Sequence, residues 1–138
     1  MTRPRRAPKR VIMVGTDLGR LERASFPLIS AGYEVLVLRY DDKTIDFIHA
    51  HHPDLVVLDN IGSWTTVLRL LTAFRGDFTL YQMAAVIVTE EDEATAHASW
   101  LRHHHYEVLK GPVNPPQITE FVRHILERDS TVPTRARA

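Results

Sequence analysis

Residues 54–60 read DLVVLDN: two leucines flank two valines, an acid stands at each end, and an amide follows the second. A continuous apolar run this short is the mark of a strand covered on both faces. Asp59 therefore has two readings. It is either a polar residue that ends a strand, or a carboxylate displayed where a buried strand leaves its sheet.

Working outward, the same kind of run recurs. Val11–Val14 (VIMV) predicts a first strand, Glu34–Arg39 (EVLVLR) a second, Ala84–Thr89 a fourth and Glu107–Leu109 a fifth. Between them lie segments with helical spacing. Leu18–Ala31 carries Leu18, Leu21, Leu28 and Ile29, and Gly32 closes it. Asp42–His51 uses Ile45, Phe47 and Ile48, and Pro53 stops it. Further helices are predicted over Trp64–Phe74, with Val67, Leu68, Leu70 and Leu71, and over Ala94–Arg102; Arg75–Met83 reads as a loop. Asn114 caps the last, with Pro115 and Pro116 in its first turn and Ile118, Phe121, Val122, Ile125 and Leu126 on its buried face.

Five apolar strands alternating with five helices predict a parallel sheet with helices on both sides. Right-handed crossovers make it a doubly wound, flavodoxin-like (βα)5 three-layer sandwich whose site lies at the carboxyl ends of the strands. That rule selects Gly15–Asp17, Asp59–Gly62, Thr89–Glu90 and Lys110–Pro112. No internal repeat is present.

The 138 residues, 44% hydrophobic and 25% charged, suit one domain. With no cysteine there is no thiol chemistry, disulfide or zinc-thiolate site. The opening MTRPRRAPKR lacks the apolar core of a signal peptide, and no apolar run reaches the length of a membrane span. A cytoplasmic location is expected, with no membrane association. Formal charge is zero overall, yet five of the 17 basic residues crowd into residues 1–10, which hold no acid. Residues 11–138 then carry 12 basic residues against 17 acids, a net charge of about −5. The expected layout is a basic disordered arm over residues 1–10, a folded domain over 11–128 and a disordered tail over 129–138.

Residues 11–128 resemble the receiver domain of two-component response regulators. DLVVLD resembles the family's third strand and its phosphorylated Asp, and VIVTE its fourth strand with the switch Thr or Ser. VLKGPVNPPQITEFVRHIL resembles its fifth strand, Lys-Pro turn and last helix, and ISAGYEV the link from first helix to second strand. The resemblance implies that Asp59 is the candidate phosphoacceptor, Thr89 the candidate switch residue and Lys110 the candidate phosphate-site lysine, with Asp17 and Asp59 as the metal ligands. A carboxylate oxygen attacks a phosphoryl group only when a divalent cation and a positive side chain neutralise the developing charge.

Departures from the pattern bear on that chemistry. Gly15 and Thr16 stand where the family has two acids after its first strand, and Asp17 is one step beyond. Mg²⁺ wants several oxygen ligands near 2.1 Å, so its affinity is expected to be weak, and no cofactor is expected to be required. A gap-free match puts Gly111 at the lysine position and Lys110 one residue early. On a strand that shift turns the side chain to the opposite face, unless a bulge restores it. Both registers remain open at the level of sequence. Glu90 replaces a small residue beside the phosphoryl position, where a carboxylate repels a dianion. The family's strand-five aromatic falls on Glu107 or Val108, with Tyr106 just before.

Other constellations carry less. His49, His51 and His52, and His103, His104 and His105, follow one another too closely to converge on zinc. GTDLGR (15–20) lies at a helix start but lacks the spacing of a dinucleotide fold or a P-loop. Trp64, Trp100 and Tyr81 read as packing residues. The expected function is that of a stand-alone atypical receiver, not an enzyme beyond self-phosphorylation at Asp59, working by contact with a histidine kinase or effector protein. The resemblance implies a homodimer through the face of the fourth predicted helix, fifth strand and last helix. The alternatives are an active Mg²⁺-dependent phosphoacceptor using Asp59, Asp17 and Lys110, and nucleic-acid binding through the basic arm. Nucleic acid is not the expected partner.

Overall fold

In a computed structural model that describes residues 8–136, one five-stranded parallel sheet has the order β2-β1-β3-β4-β5. The strands are β1 (Arg10–Gly15), β2 (Glu34–Arg39), β3 (Leu55–Asp59), β4 (Ala84–Thr89) and β5 (Tyr106–Lys110). The helices are α1 (Leu18–Ser30), α2 (Thr44–His51), α3 (Trp64–Arg75), α4 (Glu93–Ala96), α5 (Ala98–His103) and α6 (Pro115–Ala136). The predicted doubly wound sandwich is the observed fold.

Strand alternation sorts the core into two halves. Ile12, Val14, Val56, Leu58, Ile87 and Tyr106 pack with the helices α2 to α5. Val11, Met13, Leu55, Val57, Val86 and Val88 pack with α1 and α6, where Thr119 Oγ1 donates a buried hydrogen bond to the Ala24 carbonyl at 2.7 Å. Because parity is fixed along a strand, Asp59 shares the α1–α6 side with Leu55 and Val57. Lys110 shares the opposite side with Tyr106 and Val108. The sheet thus assigns the two residues to different faces before any side chain is considered.

Several boundaries differ from the sequence reading. Arg10 belongs to β1 and not to an arm: its backbone N–H donates to Asp54 Oδ2 at 2.7 Å and its guanidinium pairs with Glu34 at 2.5 Å. Residues 1–7 lie outside the described residues. The single helix expected over Ala94–Arg102 is two short ones, broken at His97 (φ −107, ψ 20). α6 continues to Ala136 although the apolar pattern in the sequence stops near residue 128, because a helix propagates on backbone hydrogen bonds. Gly32, at φ +101, makes the turn from α1 into β2. Among the described residues no helix is long and apolar enough to cross a membrane.

Candidate functional site

β1 and β3 are adjacent, and their connections leave the sheet in opposite directions, so a crevice opens at their carboxyl ends. Asp59, the last residue of β3, sits in it and is only 2% exposed. A carboxylate buried that far must be paired. Its partner is Arg20, in the first turn of α1: Nε donates to Asp59 Oδ2 at 2.9 Å and Nη2 reaches Oδ1 at 3.5 Å. Asn60 Nδ2 donates to Oδ1 at 3.1 Å. Arg20 also donates from Nη1 to the Val113 carbonyl at 2.6 Å, joining the end of β3 to the loop between β5 and α6.

Arg20 was not singled out by the sequence reading, although GTDLGR ends on it. A signal was present. A cation in the first turn of a helix opposes the macrodipole, and its presence there implies a compensating anion nearby. Asp17, three residues earlier, is the N-cap of α1, and its Oδ1 accepts from the Arg20 backbone N–H at 3.1 Å. The cap fixes the start of the helix, and the helix start delivers the guanidinium to Asp59.

The other sequence candidates lie apart from this pair. Lys110 Nζ forms an ion pair with Asp92 Oδ1 at 2.9 Å on the α4 side of the sheet. Thr89 is 8% exposed, and its Oγ1 accepts from the Glu91 backbone N–H at 3.1 Å. Glu90 is exposed, with its stem against Gly111: a Cβ on Gly111 would come 3.2 Å from Glu90 Cγ and 3.2 Å from the Val113 nitrogen. At Gly15 a Cβ would lie 3.0 Å from Leu21 Cδ1 and 3.1 Å from the Asp59 carbonyl oxygen. Gly15 and Gly111 therefore both stand at close-packed positions.

The donor set does not fit Mg²⁺. One buried carboxylate is offered, Arg20 and Asn60 donate to its oxygens, and Asp17 is engaged at the helix cap. Among the described residues no group of three or more His, Cys, Asp or Glu is arranged around a metal position. The histidines pair individually. His49 Nδ1 meets Asp77 Oδ2 at 2.6 Å, His51 stacks on Phe47 with centroids 4.0 Å apart, and the His104 ring contacts Arg75. Hydrogen bonds from the Thr79 hydroxyl and backbone N–H hold Asp77 at a pKa of about 2, with His49 adding to the effect. His104 is pushed below the usual histidine value, first by desolvation and then by the Arg75 charge.

Solved structures give the fold its class. The chain superposes on the chemotaxis response regulator CheY4 of Vibrio cholerae with a TM-score of 0.69 at 17% identity, covering 86% of this chain and 98% of that one. For a CheY-like response regulator receiver domain protein from Methanospirillum hungatei the values are 0.67 and 19%, covering 89% and 97%. For a response regulator from Chloroflexus aurantiacus they are 0.65 and 21%, covering 87% and 98%. The chain therefore has the fold of response-regulator receiver domains over most of its length. No family model and no curated protein matches the sequence.

Proposed function

We propose that this chain is an atypical receiver module of two-component signalling that works by protein contact and without phosphorylation of Asp59. The observation that carries the reading is the Arg20–Asp59 pair, 2.9 Å from Nε to Oδ2 on a carboxylate that is 2% exposed. In-line attack on a phosphoryl donor needs a free carboxylate oxygen, a cation to bridge it to the phosphoryl oxygens, and a positive group beyond them. Here the guanidinium occupies the carboxylate, the acid pair is replaced by Gly15 and Thr16, and Lys110 pairs with Asp92.

A fixed internal cation also supplies, permanently, the neutralisation that a metal and phosphoryl group supply only in turn. Output then depends on a surface that partners read, whether kinase or effector. Thr89, donating no hydrogen bond toward Asp59 and accepting one from Glu91, serves in this reading as a strand-end cap. The test is exposure of the purified chain to acetyl phosphate and Mg²⁺, read by intact mass, beside Asp59→Asn. The expected result is no Asp59-dependent adduct. Stoichiometric phosphorylation at Asp59 would overturn the reading.

A further inference from the structure

Between α3 and the bend from α4 to α5 the surface opens into an apolar groove of about 290 Å³, walled by Trp64, Leu68, His97 and Trp100. Trp100 is 40% and Leu68 36% exposed. The break at His97 shapes the groove, because it lets the imidazole lie flat on Trp64, with centroids 5.0 Å apart and planes within 6°. Contiguous exposed aromatic surface rimmed by charge marks an interaction site.

The rim says what fits. At the end nearest the carboxyl edge of the sheet, Glu90, Glu91 and Glu93 are all exposed, and Glu93 opens α4. At the other end Arg75 closes α3 and donates to the His104 ring, which packs edge-on against Trp100 at 4.9 Å. The face is therefore acidic at one end, basic at the other and apolar between. Turned through 180° it is complementary to itself, which is the requirement for an isologous two-fold contact. The neighbouring face along β5 has its charges paired internally, Lys110 with Asp92 and Arg128 with Glu107 at 2.6 Å.

We infer that the α3–α5 groove binds a second copy of the chain about a two-fold axis, the Trp100 and Leu68 side chains meeting at its centre and Glu93 of each protomer facing Arg75 of the other. This surface shares the α4–α5 segment with the face that the receiver resemblance implies, but pairs it with α3 where that face uses β5 and the last helix. It also stands independently of whether Asp59 accepts a phosphoryl group.

Sedimentation velocity on the full chain over about 1–500 µM, a range in which standard-size interfaces can dissociate, is paired with tryptophan emission. Both tryptophans of the chain line the groove. Dimer formation and a blue shift of emission are expected to follow the same concentration dependence. Glu93→Arg and Arg75→Glu each place two like-charge contacts in the interface and are expected to weaken it about tenfold, while the doubly reversed chain regains the original affinity. Thermal melts confirm that each variant is folded, and both positions are exposed. A chain that stays monomeric over the whole range, a dimer indifferent to either reversal, or a double variant no tighter than the single ones overturns the inference.

Discussion

Replacing Arg20 by Met leaves the buried Asp59 carboxyl with Asn60 as its remaining side-chain partner. Removing one member of a fully buried pair costs about 3–5 kcal/mol. Arg20 is itself 20% exposed and the Asn60 bond at 3.1 Å survives, so the expected loss is smaller, about 2–3 kcal/mol. For a chain of this size that lowers the melting temperature by about 6–12 °C. The reverse change is milder, because after Asp59→Asn the guanidinium can turn toward solvent; about 1 kcal/mol is expected. Asp59→Leu with Arg20→Met removes both charges and should lie within about 1 kcal/mol of the parent. With Asp59→Leu measured alone as well, urea denaturation of the parent, Arg20→Met, Asp59→Leu and the double variant closes a double-mutant cycle. The reasoning fails if Arg20→Met costs less than about 0.5 kcal/mol, or if the double change equals the sum of the two single ones.

Three further outcomes are expected. Tyr106 is fully buried and its hydroxyl has no hydrogen-bond partner among the described residues, so Tyr106→Phe should raise stability by about 1 kcal/mol in urea melts. Since the folded-state pKa of His104 is lowered, the unfolded chain binds the proton first as pH falls. Stability from this group is therefore complete above the ordinary histidine value and declines as pH drops through it toward the folded pKa; NMR should find His104 titrating low, and rising when Arg75 becomes Gln. Gly15→Asp with Thr16→Asp and Arg20→Met rebuilds an acidic pair and frees Asp59, and calorimetry should detect Mg²⁺ binding to this variant but none to Arg20→Met alone.

The fold was legible because each strand is a short apolar run and each helix has its own period. Those patterns depend on residues close in sequence. The site was half legible. Asp59, Asp17 and Thr89 follow from their places at strand ends and helix starts, whereas the pairing of Asp59 with Arg20 spans 39 residues and depends on which face α1 covers. Strand parity left two registers for Lys110. Packing selects one, because Tyr106 and Val108 fill the α5 side and carry Lys110 with them toward Asp92. The break at His97 was hidden for the opposite reason: Ala94–Arg102 holds no Gly or Pro to mark it, and the interruption brings the imidazole onto Trp64, which lies 33 residues earlier.

Arg20 also has a bearing on time. Its guanidinium touches β3 across 39 residues and the loop after β5 across 93, so its bonds close only once both ends of the sheet are in place. Interactions of such long range form late and are weak in the folding transition state. Their contribution falls on the rate of leaving the native state, and the same side chain that occupies Asp59 acts as a latch against unfolding.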